Sequence, residues 1–134
     1  MIFVDTGAWY ALMDAIDPNH TAAIAVYRDL ARGGLGRLVT SDYVMAEAYT
    51  LCRFRGGIEP LRRLAAQVRE SQNLRVLRVT ETEYERALDL MLTREDKRWS
   101  FTDCTSFVLM ESLAIRDAFA FDENFVQAGF SVHP

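Results

Sequence analysis

The sequence predicts an α/β fold, a mainly parallel sheet with helices on both faces. Two observations predict it: short apolar runs alternate with stretches of helical periodicity along the chain, and two of those runs stop at an acid where a helix begins.

Ile2-Phe3-Val4 is a short strand ending at Asp5, and Thr6 to Met13 continues with helical spacing. Asp17-Pro18 reads as the start of a second helix, whose stripe of Ala22, Ala23, Val26 and Leu30 closes at Gly33-Gly34. Arg37 to Thr40 is the second strand, after which Ser41-Asp42 opens a helix through Val44, Ala48, Leu51 and Cys52, ended by Gly56-Gly57. Leu61, Leu64, Ala65 and Val68 mark another helix, and Leu74 to Val79 alternates with period two as a half-exposed strand. Thr80 and Glu83 form a capping-box pair before the helix of Tyr84, Ala87, Leu88, Met91 and Leu92. Ser100-Phe101-Thr102-Asp103 opens the next, with Phe107, Val108, Met110 and Leu113 as core candidates. Ala118 to Asp122 is an apolar strand stopping at an acid, a short helical turn runs to Gly129, and Phe130-Ser131-Val132 is the last strand. In such sheets the functional crevice lies beyond the carboxyl ends of the strands.

With 134 residues, half of them hydrophobic, and no repeat or linker, the chain 1–134 is expected to form one domain around one core. No apolar run is long enough to span a bilayer, and Met1 to Asp5 lacks the basic start and apolar stretch of a signal peptide, so the expected compartment is the cytoplasm. The two cysteines, Cys52 and Cys104, fall far apart in helical segments, which argues against a disulfide framework or a CxxC site. Asp103 beside Cys104 opposes thiolate formation, which argues against a thiol enzyme. His20 and His133 are isolated and read as surface residues. A net charge of −4 argues against holding nucleic acid by the overall field. Arg53, Arg55, Arg62, Arg63 and Arg69, and then Arg94, Lys97 and Arg98, form local basic groups that read first as solvated helix faces.

Four acids carry the chemistry. Asp5 and Asp122 each take the first polar position after an apolar strand, and each also fits the N-cap of the following helix. Asp103 fits the third position of a Ser100 capping box. Glu47 lies about two turns into a helix, beside Met45, Ala48 and Leu51, too deep for a cap. On a parallel sheet all four gather at one edge. Two carboxylates about 4 Å apart repel by about 4 kcal/mol at an effective dielectric of about 20, so a dry cluster of four requires a counter-ion. Oxygen ligands and the shortage of His and Cys point to Mg²⁺ or Mn²⁺ and away from zinc. Such a site is equipped for phosphodiester cleavage and needs no nucleophilic side chain, in keeping with the lack of a Ser-His-Asp or Cys-His arrangement. Thr6, Ser41 and Thr102 lie beside the acids as orienting or capping hydroxyls.

Four blocks, Val4-Asp5-Thr6-Gly7-Ala8, Ser41 to Glu47, Ser100 to Cys104 and Phe119 to Phe125, resemble in order and spacing the successive blocks of PIN-domain proteins, and the layout is similar to that of VapC ribonuclease toxins. The resemblance implies an α/β/α sandwich, a Mg²⁺- or Mn²⁺-dependent endoribonuclease acting on RNA, a homodimer, and inhibition by a VapB antitoxin whose C-terminal segment covers the acidic groove. Asp5 and Asp103 match the family's first and third acids, assigned to the metal; Glu47 and Asp122 match the second and fourth, which complete the cluster. A receiver domain is disfavoured because the strand at Val76 to Thr80 ends without an acid and Lys97 is the sole lysine. A haloacid-dehalogenase-type phosphatase is disfavoured because Gly7 stands where a second acid is required. The remaining alternative is a PIN-like module that binds RNA or protein without cutting.

Overall fold

In the computed structural model, which describes residues 1–134, the short run Ile2–Val4 (β1) is the middle strand of a five-stranded parallel sheet. Its partners are Leu38–Ser41 (β2) on one side and Asp117–Phe119 (β4) on the other, and Leu74–Leu77 (β3) and Ser131–His133 (β5) form the edges, giving the order β3-β2-β1-β4-β5. Ile2 lies opposite Leu38 and Asp117, and Phe3 opposite Val39 and Ala118. β1 and β2 are buried along their whole length, as inner strands covered on both faces should be, while edge strand β3 exposes Arg75.

The chain first winds outward from β1 through Thr6–Met13 (α1), His20–Ala31 (α2), Asp42–Leu51 (α3) and Ile58–Glu70 (α4). It then crosses back past β1 to β4 through Glu81–Thr93 (α5) and Phe101–Ser112 (α6), and Glu123–Gln127 (α7) links β4 to β5. Right-handed crossovers in the two directions put the two groups of helices on opposite faces, α1 packing on α2, α3 and α4, and α6 packing on α5 and α7. The reversal between β1 and β4 is the topological switch point of the sheet, where a crevice opens.

The core is one cluster in which Phe3, Trp9, Phe107, Phe119 and Phe125 are fully buried. Phe107 meets Trp99 and Phe125 edge to face at 5.0 Å, so the aromatics lock α6 and α7 together. Trp9 is tied in by a polar link: its indole N–H donates to Thr40 Oγ1 at 3.3 Å, and that hydroxyl donates to the Val4 carbonyl at 2.9 Å. Both capping boxes form, Thr80 with Glu83 and Ser100 with Asp103. No helix is long and apolar enough to cross a membrane.

Some boundaries differ from the sequence reading for local reasons. The second helix begins at His20, because Asp17 accepts the Asn19 amide at 2.8 Å and closes a turn ahead of it. β3 ends at Leu77: the Val79 amide donates to Asp42 Oδ1 and the Thr80 amide to Glu83 Oε2, which takes both out of the ladder. β4 ends at Phe119, the last residue of its ladder with β1, and Asp122 then caps α7. His20 and His133 are half-buried instead of lying free on the surface, bonded to the Ala11 carbonyl and to Asp117. α3 runs on into a π-helical turn, Cys52–Gly56, stopped by Gly57 at φ 90°. Cys52 and Cys104 are buried free thiols, each pushed up to about 11 by burial, with Asp103 adding to the effect at Cys104.

The Thr40 link gives a direct test. Thr40→Val keeps the shape but leaves the Trp9 N–H without its acceptor, so it should lower stability by about 1–3 kcal/mol, read as an earlier urea midpoint at unchanged m. An unshifted midpoint would show that the link contributes nothing.

Candidate active site

The carboxyl ends of β1 and β4 open into a cleft of about 570 Å³ lined by Asp5, Glu47, Asp103 and Asp122, together with Thr6, Gly7, Arg98, Ser100, Phe121 and Asn124. All four acids singled out in the sequence line this cleft, two delivered by strand ends and two by helices packed beside them.

Their surroundings are graded. Asp5, only 7% exposed, follows the central strand and takes the N-cap position of α1, yet its side chain makes no capping bond. Burial is the main cause of a pKa raised to about 7; the Thr6 amide opposes the rise, and Asp103, Asp122 and Glu47 add smaller repulsions. Asp103 is half-buried and raised too, again chiefly by burial, with donors from Ser100 and Asn124 holding it back. Glu47 and Asp122 are exposed. The cluster is therefore not uniformly dry, and desolvation of one acid outweighs repulsion among the four.

Capping and lining the cleft turn out to be compatible. Asp103 Oδ2 accepts the Ser100 amide at 3.0 Å and Asn124 Nδ2 at 3.0 Å, with no donor on Oδ1. Asp122 Oδ1 accepts the Asn124 amide at 3.0 Å and leaves Oδ2 free in the same way. Thr6 Oγ1 donates to Glu47 Oε2 at 3.2 Å, fixing the exposed acid to the start of α1. Asn124 thus touches both Asp103 and Asp122, a link across 21 residues that sequence reading missed. Its only advance signal was a position two residues past an acid that also caps a helix. Arg98, read from sequence as solvated surface, is exposed but lies on the cleft wall and is its only cation.

The donors are carboxylates, hydroxyls and a carboxamide, with no imidazole or thiol among them, which fits a hard divalent cation. The four acids share the cleft, but no three His, Cys, Asp or Glu side chains are grouped closely enough to hold a metal ion together. That suits an ion taking one or two carboxylates and completing its shell with water.

An acidic cleft at the switch point of a parallel α/β/α sandwich, with oxygen donors and no nucleophile–base pair, defines the class of metal-assisted phosphoryl-processing proteins. The PIN domain family profile matches residues 2–131. The 23S rRNA-specific endonuclease VapC20 of Mycobacterium tuberculosis is 36% identical over 134 residues, with 97% of this chain and 95% of that protein covered. A VapC ribonuclease of Archaeoglobus fulgidus is 28% identical over 115 residues, with 84% and 72% covered. The crystal structure of Mycobacterium tuberculosis VapC20, described as a sarcin-ricin loop cleaving toxin, superposes with a TM-score of 0.88 at 35% identity, over 97% of this chain and 96% of that one. The chain belongs to the PIN-domain family, among the VapC ribonucleases. Metal dependence is general among these nucleases, and the carboxylate and hydroxyl oxygens of the cleft agree with it.

The raised Asp5 pKa sets a pH dependence. Between its ordinary 3.8 and about 7 the folded protein holds a proton that the unfolded chain releases, so stability falls as pH rises through this window and levels off above it. Asp103 acts in the same direction. Asp14 and Asp96, held low by Tyr10 and Arg94, act oppositely only at lower pH. In EDTA, urea unfolding should show stability falling by up to about 1.4 kcal/mol per pH unit across the window. Asp5→Asn should flatten the fall and exceed wild type at about pH 8. A wild-type profile level from pH 4 to 7 would contradict the desolvation of Asp5.

Proposed function

We propose that this protein is a metal-dependent endoribonuclease, the toxin of a VapBC-type toxin–antitoxin pair, and that the RNA it cuts is the sarcin–ricin loop of 23S rRNA. The observation that carries the reading is the single cleft in which Asp5, Glu47, Asp103 and Asp122 present unshared carboxylate oxygens. In this reading the 134 residues act as one PIN domain in the cytoplasm, where ribosomal RNA is reached. Asp5 and Asp103 hold Mg²⁺, with Mn²⁺ able to substitute, and Glu47 and Asp122 complete the site. Such an ion, when bound, polarises a phosphate oxygen and makes water nucleophilic near neutral pH.

The remaining steps fall to the chain's own groups. Asn124 and Thr6 hold Asp103 and Glu47 through neutral donors, fixing geometry without cancelling the negative charge that recruits a cation. Arg98, on the cleft wall, offers a guanidinium to phosphate oxygens of the approaching strand. Asp5, the most buried of the four, is the acid that gains most from a cation beside it, since neutralisation removes the penalty of burying its charge. The substrate is supported by the relatives' stated target at 36% identity over nearly the full chain, and unpaired loop nucleotides are the form in which RNA exposes bases and backbone to proteins.

Two partners follow. A VapB antitoxin laying a basic side chain among the acids would replace the cation's charge and block RNA together. A second copy of the chain is supported by an apolar stripe on α5, where Tyr84, Leu88, Met91 and Leu92 recur at helical spacing and are 36–67% exposed.

A synthetic sarcin–ricin loop hairpin RNA should be cut by the purified protein with Mg²⁺ and spared in EDTA. Asp5→Asn and Asp103→Asn should each lower the rate by at least about 100-fold, the several kcal/mol attributed to metal-ion catalysis, while melting cooperatively. Cleavage that persists in EDTA would sink the metal-dependent reading. RNA binding without cleavage under Mg²⁺ or Mn²⁺ would favour a non-cleaving binding module.

A further inference from the structure

The acidic cleft continues along α3 into a second pocket of about 560 Å³, with Thr6 and Glu47 lining both. Beyond Glu47 its wall is Thr50, Leu51 and Phe54, at intervals of three, four and seven residues, so one face of the helix runs from an acid to an aromatic ring. Phe54 sits on the π-helical turn, is 82% exposed, and is the most exposed aromatic in the chain. The turn is pinned. Gly57 at φ 90° ends it, and a Cβ at Gly56 would lie 2.7 Å from the Pro60 ring, so the backbone there is packed against α4. Arg53 and Arg55 flank Phe54 in sequence, both exposed; Arg55 lines the same pocket, with its guanidinium 6.0 Å from the Tyr10 ring centre.

An exposed aromatic between two arginines, on a rigid turn and in a chain of net charge −4, concentrates local features that recognise single-stranded nucleic acid: a π-face for a base and guanidinium groups for phosphates. We propose that the turn Cys52–Gly56 is a stacking platform for an unpaired RNA base flanking the scissile phosphate, with Phe54 under the base and Arg53 and Arg55 on the adjoining backbone. By helical rise Phe54 lies about 10 Å along the helix from Glu47, a distance that the nucleotides next to the cut can bridge. The inference rests on the ribonuclease reading and adds where the substrate's bases go. Charge complementarity favours RNA over a protein occupant. The apolar wall alone would not distinguish them.

The test uses the same hairpin RNA, with binding measured on an Asp103→Asn background so that affinity is read without cleavage, and rates measured in the otherwise wild-type chain. Phe54→Ala should weaken binding by about 5- to 150-fold, the range for losing one base–aromatic stack, and slow cleavage at subsaturating RNA. Phe54→Trp should restore both, and its added indole emission should be quenched by RNA, whereas a merely structural ring would give no quenching. Arg55→Ala should weaken binding and lower the salt slope by about one. Wild-type cleavage with unchanged affinity in Phe54→Ala would overturn the platform and leave the ribonuclease reading intact. Loss of dimer or antitoxin binding in Phe54→Ala with RNA affinity unchanged would overturn it in favour of a protein interface. Tight, Phe54-dependent RNA binding without cleavage by wild type would support the platform while removing the nuclease.

Discussion

A largely buried carboxyl group, Asp5 at the end of the central strand, is the constraint around which the rest of the structure is arranged. Its place follows from topology: β1 is flanked by parallel strands on both sides, so the residue that leaves it emerges between two layers of helix. Burying that charge opposes folding. The structure offsets it with a large apolar cluster beneath and with an amide ladder that carries β1 to β4 as far as the Asp5 backbone. The other three acids are more exposed, and each accepts at least one hydrogen bond.

This gradient explains how a single edge holds four acids. Repulsion between exposed carboxylates is weak because water screens it. Burial strongly perturbs the acid at the base of the cleft, and the rim acids are tethered by neutral donors from Thr6 and Asn124. A charged tether would have settled the electrostatics at the cost of the charge that attracts a cation. The caps on Asp103 and Asp122 use one oxygen each, so helix initiation and ligand presentation draw on different atoms of one side chain.

The order of elements was legible in the sequence because period and punctuation agreed there, from the apolar run at Ile2 to the Thr80 and Glu83 cap. The four acids were legible because strand ends and helix starts on a parallel sheet share an edge. Less was visible where a distant partner decided the outcome. β3 was read two residues too long because Asp42, 37 residues away from Val79, captures its amide. Asn124 escaped notice because its partner Asp103 is brought near only by the fold, and Arg98 passed for a solvated residue for the same reason. The widening of α3 into a π turn left no periodic signature at all. Burial was also out of reach: nothing local distinguishes Asp5 from Asp122, though one is enclosed and the other open to solvent.

The pairing of β1 with β4 carries a consequence for synthesis. Asp5 precedes Asp122 and Asn124 by more than 100 residues, and the strand that completes the cleft wall, β4, is made after β1, β2 and β3. A growing chain can form β1, β2 and β3 with their helices and still have no cleft, because the neighbour on the other side of β1 has yet to emerge. The site comes into being only once β4 and the residues after it have been made, so a message interrupted before them yields fragments without it.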